Sequence, residues 1–110
     1  RDSQWVTNQE TGKSSGMTYI FFDRQPRWFM SYDGWYTKPA LQLLKKTLLM
    51  TYRDDEFCGC RGRDCKEPMG GLRYENTWVG TFQKFSGEET VRDADKKKHG
   101  FHTYRGGMLT

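Results

Sequence analysis

The spacing of apolar and polar residues changes its period along the chain and predicts one helix between two groups of strands. In the first group, aromatic and β-branched runs are separated by turn residues, as in an antiparallel meander. Both faces of the strand at 17–23 are apolar, so we expect it in the interior of a sheet. The predicted strands are 5–7, 17–23, 27–32 and a short segment starting at Trp35; the predicted connections are 8–16, 24–26 and a tight turn at Asp33-Gly34.

Residues 37–52 carry the helical period. Thr37 is a suitable N-cap residue, and Pro39 falls in the first turn, where its missing N–H breaks no hydrogen bond. An apolar stripe along the helix predicts that it packs across one face of the sheet. The stripe consists of Leu41, Leu44, Leu48 and Tyr52, widened by Ala40, Leu43 and Met50.

After the helix, residues 53–71 show no periodicity, and a connection of this length is often functional. Strand signals return at 72–82, with Trp78 and Phe82 on one face and Val79 on the other. The remaining predictions are a turn at 84–89, a short strand at 90–91, a charged loop at 93–100 and a last strand at 101–104. The pattern predicts an α+β fold: a small antiparallel β-sheet with one amphipathic helix packed on a face and a long cysteine-containing loop.

The composition fits one domain, residues 1–110, with an aromatic core. Only 35% of the residues are hydrophobic but 15% are aromatic, and each buried aromatic side chain removes roughly 150–250 Å² from water. The net charge of +4 is uneven, because residues 57–110 carry ten basic and seven acidic residues. This bias favours an anionic partner. No apolar run reaches the ~18 residues of a membrane span.

The three cysteines lie within eight residues, in the stretch FCGCRGRDC. Thiolates at such spacing bind zinc, and a fourth ligand is available in His99 or His102. We therefore predict a zinc site formed by Cys58, Cys60, Cys65 and His99. A disulfide with one free thiol and three reduced structural cysteines are the alternatives.

The spacing CxCxxxxC, within the run MTYRDDEFCGCRGRDCKEPMGG, is similar to the zinc-binding post-SET tail of protein lysine methyltransferases. The likeness covers about twenty residues, 50–71. The upstream Asn-His-Ser-Cys element and the cofactor motifs of that family are absent from this sequence. The resemblance therefore implies a metal-ligand spacing and not a methyltransferase.

A second candidate feature is the run KKKHGFHTYR, which interleaves positive charge with aromatic rings. Basic side chains neutralise phosphates, and aromatic rings stack on unpaired bases. The run predicts an RNA-binding surface together with the arginines of the cysteine segment; a solvated charged turn is the alternative. The predicted contact residues are Arg61, Arg63, Lys96, Lys97, Lys98, Phe101, Tyr104 and Arg105.

Three functions are compatible with these features, and the first is favoured. It is a non-enzymatic basic binding module or assembly subunit that binds RNA or another anionic partner. The second is a protein-interaction subunit of a larger complex that uses its aromatic sheet face. The third is a small ribonuclease with His99 and His102 as weak catalytic candidates, although two residues three apart on a strand point to opposite faces.

The cysteine count and the first residue bear on the cellular compartment. The odd number of cysteines favours an intracellular protein over a secreted one. Arg1 in place of an initiating Met leads us to expect a processed product or an excised domain, which is compatible with the earlier removal of a presequence.

Overall fold

The computed structural model describes residues 2–66 and 71–110 and shows one antiparallel sheet with a helix against one of its faces. The strands lie in the order β1-β2-β3-β7-β6-β5-β4. This confirms the α+β class and the antiparallel sheet with one helix. The elements are β1 (Asp2–Thr7), β2 (Lys13–Phe22), β3 (Gln25–Tyr36), α1 (Lys38–Arg53), β4 (Cys65–Lys66), β5 (Arg73–Thr81), β6 (Lys84–Arg92) and β7 (Lys98–Met108).

The predicted turn at Asp33-Gly34 is wrong, because β3 continues through both residues to Tyr36. Gly34 pairs with Ser14 on one side and with His102 on the other. Its φ of 154° favours glycine, and a Cβ there would lie 1.9 Å from the Phe101 carbonyl oxygen. Gly34 permits a close approach of two strands. An Asp-Gly pair is also typical of a tight turn, so the sequence alone does not distinguish the two roles.

The predicted turn at 84–89 is also wrong, because these residues belong to β6. Phe85, Glu89 and Val91 are buried at every second or fourth position, as in a strand with one covered face. Gly87 made the segment resemble a turn. The predicted loops 8–16 and 93–100 are too long, since β2 already begins at Lys13 and β7 at Lys98.

The helix begins as predicted: the Thr37 hydroxyl accepts a hydrogen bond from the Ala40 amide at 3.4 Å. The buried stripe differs from the predicted one, since Leu41 and Tyr52 are 37% and 47% exposed. The buried face of the helix includes Thr47 and Thr51, because their hydroxyls form hydrogen bonds in the interior. The buried helical residues are Ala40, Leu43, Leu44, Thr47 and Thr51.

Thr47 and Thr51 attach the segment 54–64, which follows the helix, to α1. The Thr47 hydroxyl donates to the Arg63 carbonyl at 2.5 Å. The Thr51 hydroxyl accepts from the Arg63 amide at 2.8 Å and donates to the Thr47 carbonyl at 2.7 Å. The cysteine-bearing segment is therefore attached to the helix through backbone groups.

Tyrosine rings lie over glycines of the neighbouring strand at three places on the helix side of the sheet. The cross-strand pairs are Tyr32 with Gly16, Tyr36 with Gly100 and Tyr104 with Gly87. In each pair, a Cβ on the glycine would lie 2.1–2.5 Å from an atom of the ring. The absence of a side chain in one strand thus makes room for a large ring from the next, so a domain poor in aliphatic residues still fills its core.

The sheet has two unequal faces. The covered face carries α1 over one half and the segment 54–64 over the other, above two apolar clusters. The open face carries the alternate side chains of the same strands. Within the part of the chain that the structure describes, no helix is both long enough and apolar enough to cross a membrane.

Candidate functional site on the open face

The side chains of the open face form rows that run across four strands. The register pairs Ser31 of β3 with Met17 and Arg105, and Asp33 with Ser15 and Thr103. On the far side of β7, Arg105 lies opposite Ser86 and Thr103 opposite Glu88. The centre of the open face is therefore polar over two adjacent rows, although the same strands supply an aromatic core on their other side.

Arg105 occupies the middle of this polar area. Three adjoining cavities of about 480, 510 and 840 Å³ are all lined by Arg105. Two of them also share Ser31 and Asp33. The cavities together make a groove across the sheet, which we call the Arg105 trough.

The trough offers hydrogen-bonding groups as well as charge. The Thr103 hydroxyl donates to Asp33 Oδ1 at 3.4 Å, and the Arg105 guanidinium makes no ion pair within residues 2–66 and 71–110. An arginine without a carboxylate partner retains its five donors for a ligand. Asp33 and Glu88 supply acceptors in the adjacent row.

Aromatic pairs flank the trough toward the two ends of the strands that it crosses. Tyr19 lies opposite Phe29 at one end, and Trp35 lies opposite Phe101 at the other. Phe29 and Trp35 are six residues apart on β3, which corresponds to about 20 Å in a strand. All four rings are partly exposed. The open face thus places stackable rings on either side of a polar centre.

Two lysines lie beside the Trp35–Phe101 end. Lys13 is directly opposite Trp35 on β2. The Lys98 ammonium lies 4.7 Å from the centroid of the Phe101 ring, in cation–π contact. This end is positively charged, and the Phe101 ring face already carries a cation.

The structure separates the six predicted RNA-contact residues of the run 96–105 into three groups. Phe101 and Arg105 lie on the open face, and Lys96, Lys97 and Lys98 lie at its margin, in the β6–β7 turn and the first position of β7. Tyr104 is buried on the covered face, where its hydroxyl donates to Asn76 at 2.6 Å. Predicting Tyr104 as a stacking residue was therefore wrong.

The two predicted arginines of the cysteine segment are both engaged within the protein. Arg61 is 6% exposed and its Nε donates to Glu89 at 2.9 Å, so its prediction as a phosphate contact was wrong. Arg63 is ion-paired with Asp54 at 3.0 Å and with Glu56. Neither guanidinium faces the Arg105 trough.

Arg61 belongs to a buried polar cluster between the sheet and the segment 54–64. Glu89 accepts from Arg61 and from the Tyr74 hydroxyl, and its Oε1 lies 3.9 Å from His102 Nδ1. Burial and the nearby Glu89 carboxylate raise the pKa of Tyr74 and of Tyr36. Burial, with the Arg61 charge, lowers the pKa of His102 to about 4. His102 is therefore neutral in the folded protein near neutral pH.

The cluster has two unused polar atoms, the Tyr36 hydroxyl and His102 Nδ1, which lack a hydrogen-bond partner within the described residues. The other His102 nitrogen lies 3.1 Å from the Ser14 hydroxyl. None of the larger cavities is lined by His102 or Glu89. The cluster is thus an internal network that connects the two halves of the chain.

The cysteines are free thiols and lie in different surroundings. Cys65 packs against the cluster under the helix, and Cys60 packs against the cluster around Trp28. Burial raises the pKa of Cys60 to about 11, and burial with nearby carboxylates raises that of Cys58. Within the described residues, no group of three or more His, Cys, Asp or Glu side chains is arranged to hold a metal ion.

The two histidines also lie apart. His99 lies at the start of β7, and its Nε2 is 2.9 Å from a carboxylate oxygen of Asp93. His102, in contrast, is buried on the covered face. The predicted zinc ligand His99 is thus engaged with a carboxylate, and the zinc site stays a prediction. Two histidines in such different environments do not face a common substrate, which leaves the ribonuclease hypothesis without a geometric basis.

Several residues of the trough were missed from the sequence: Lys13, Ser31, Asp33 and Thr103. A signal was present, because Phe29, Ser31, Asp33 and Trp35 occupy alternate positions. The Asp-Gly pair concealed it by resembling a turn.

The comparison with known families gives one match, over residues 10–109. The chain belongs to the family described as a domain of unknown function (DUF5680). The matched region contains β2 to β7 and α1, and hence the whole Arg105 trough except its β1 margin. No curated protein and no solved structure matches the chain.

Proposed function

We propose that this domain is a binding module for single-stranded RNA and that the RNA lies in the Arg105 trough of the open sheet face. The observation that carries the proposal is the position of Arg105, an unpaired guanidinium where three cavities meet, between two aromatic pairs. Single-stranded nucleic acids are bound by this combination of positive charge and stacking rings.

Each part of the trough has a role in this proposal. Arg105 contacts a phosphate, and Lys13 and Lys98 add positive charge beside the Trp35–Phe101 pair. Trp35 and Phe29 are the better stacking platforms, because Lys98 already covers the Phe101 ring. Lys96 and Lys97, on the neighbouring turn, contribute at longer range.

The polar centre supports RNA rather than a purely phosphate-directed site. Asp33, Thr103 and Ser31 provide acceptors and hydroxyls beside Arg105. Such groups suit base edges and the ribose 2′-hydroxyl, which proteins use to distinguish RNA from DNA. We expect a labelled oligouridylate or oligoadenylate RNA to bind more tightly than the DNA of the same sequence.

Fluorescence anisotropy over a series of salt concentrations tests the proposal. Replacing Arg105 by Gln removes one phosphate contact, so the slope of log affinity against log salt should decrease by about 0.7. Trp35→Ala should weaken binding by about 1–3 kcal/mol through lost stacking. Arg53→Gln is the matched control, because Arg53 is an exposed residue at the end of α1 with the same charge.

Absence of RNA binding at low salt would reject the proposal. Binding that is unchanged in both Arg105→Gln and Trp35→Ala would reject the trough as the site. Equal loss in Arg53→Gln would mean that only net charge matters.

A protein segment is the second candidate ligand for the same face. Asp33 and Glu88 give the trough both signs of charge, and the aromatic rows resemble the composition of a protein interface. An assembly of high mass that persists after nuclease treatment and is lost in Trp35→Ala favours this function over RNA binding.

A further inference from the structure

A separate pocket lies on the covered face, on the side of the sheet opposite the Arg105 trough. It has a volume of about 330 Å³, which is within the range of small-molecule sites. The floor is formed by β2 and β3, and the roof by the end of α1 and the segment 54–64. Its main apolar lining is Ile20, Trp28, Met30, Phe57 and Phe82, with Cys60 at the wall.

The aromatic walls are fixed by contacts within the protein. Trp28 stacks on Phe82 with ring centroids 5.1 Å apart, and its indole N–H donates to the Phe82 carbonyl at 3.0 Å. Phe57 is held edge-on against Trp78 at 4.9 Å. Because these rings are already positioned, the pocket requires little reorganisation to receive a flat or aliphatic group.

The mouth of the pocket is acidic. Asp55 and Glu56 both line it, and among the residues that the structure describes no Lys, Arg or His does. Glu56 is ion-paired with Arg63, whereas Asp55 makes no ion pair within the described residues. A cation at this mouth therefore meets a carboxylate that has no internal partner, next to the faces and edges of aromatic rings.

We propose that this cavity, which we call the Cys60 pocket, binds a small organic cation with an apolar body. The body occupies the space between Trp28, Met30 and Phe57, and the ammonium group lies at Asp55. Aromatic rings attract organic cations through their negatively charged faces, which adds to the attraction of the carboxylate. The acidic mouth disfavours fatty acids and other apolar anions.

Three probes with the same ring and different charge test this specificity: naphthylethylamine, naphthylethanol and naphthylacetate. Titration calorimetry and ligand-observed NMR should rank the amine first, the alcohol second and the carboxylate last. Asp55→Asn should weaken the amine about two- to fivefold, as expected for an exposed ion pair, and leave the alcohol unchanged. Asn tolerates the positive φ of residue 55, so the backbone is kept.

Asp95→Asn is the matched control, because it changes the same charge on the exposed β6–β7 turn, away from the pocket. A second readout uses the thiol: the bound amine should slow alkylation of Cys60 by N-ethylmaleimide, followed by peptide mass spectrometry, and leave Cys58 unaffected. Cys60 lines the pocket and Cys58 does not.

Equal affinity for the three probes would overturn the charge specificity. Failure of all three to bind, or binding of the amine without protection of Cys60, would overturn the site itself. Loss of RNA binding in Arg105→Gln would leave these outcomes unchanged, since the two sites are on opposite faces of the sheet.

Discussion

Arg61 and Glu89 form an ion pair with an Nε–Oε1 distance of 2.9 Å in the interior, although 28 residues separate them in the sequence. Glu89 also accepts a hydrogen bond from the Tyr74 hydroxyl. The pair connects the segment 54–64 to β6, so a charge that the sequence assigns to the surface instead fastens a loop to the sheet.

Glu89→Gln should destabilise the domain by about 3–5 kcal/mol, because it leaves the Arg61 guanidinium buried without a counter-charge. Urea unfolding followed by circular dichroism measures this difference. The double variant Arg61→Met/Glu89→Leu should regain most of the lost stability, since replacing a whole buried pair by apolar groups is far less costly than breaking it. A double variant no more stable than Glu89→Gln would contradict this account.

The buried His102 should make stability fall as the pH is lowered from about 6.5 to about 4. Its pKa is about 4 in the folded protein against 6.5 for the ordinary side chain, so only the unfolded chain takes up a proton in this interval. Neutral His102 contributes its full stabilisation above pH 6.5. Lowering the pH to about 4 removes about 3 kcal/mol from the free energy of unfolding. Unfolding free energies at several pH values measure it.

His102→Gln is the control for that pH dependence. Glutamine can still bond to the Ser14 hydroxyl and carries no titrating group. We expect a shallower decline of stability between pH 6.5 and 4 in this variant. An identical slope in both proteins would show that the decline arises from carboxylates.

Cys58 and Cys60 should alkylate slowly at pH 7, because burial raises the pKa of Cys60 to about 11 and that of Cys58 as well. The thiolate is the reactive form, so the rate at Cys60 should increase about tenfold per pH unit up to pH 9. Peptide mass spectrometry after timed alkylation measures each site. Zinc analysis of the same sample tests the predicted metal site: stoichiometric zinc with all three thiols protected until a chelator is added would favour it.

Gly100→Ala should destabilise the domain by about 1–3 kcal/mol, since the added Cβ would lie 2.1 Å from Tyr36 Cδ1. A double-mutant cycle with Tyr36→Leu should show coupling, because the smaller side chain relieves the clash. Ser86→Ala on the open face is the control and should change stability by less than about 0.5 kcal/mol. Additive effects of the two substitutions would contradict the ring-over-glycine contact.

The fold class was predictable from the sequence, because strand and helix periods are local properties. The N-cap Thr37 and the interior position of β2 followed from local composition. The lengths of β3 and β6 were not predictable in this way. Gly34 and Gly87 resemble turn residues in the sequence, but each is required by contacts with a distant strand or ring.

The candidate site was predictable only in part, because it too depends on contacts between distant strands. Arg105 and Phe101 were predicted as contact residues from their place in a basic, aromatic run, and both lie on the open face. Arg61 appeared equally suitable, yet it is paired with Glu89, which no local pattern reveals. The residues that complete the trough come from β2 and β3, far from the basic run in sequence, and only the pairing of strands brings them together.

Strand β3 contributes to both proposed sites, with Trp28 and Met30 on one side and Ser31 and Asp33 on the other. Deleting or inserting a single residue in β3 would move each later side chain of the strand to the opposite face of the sheet. Relatives of this chain should accordingly vary in length at the turns 8–12 and 93–97, while the spacing between residues 28 and 36 stays constant. Alignment of distant members is therefore best anchored on that interval.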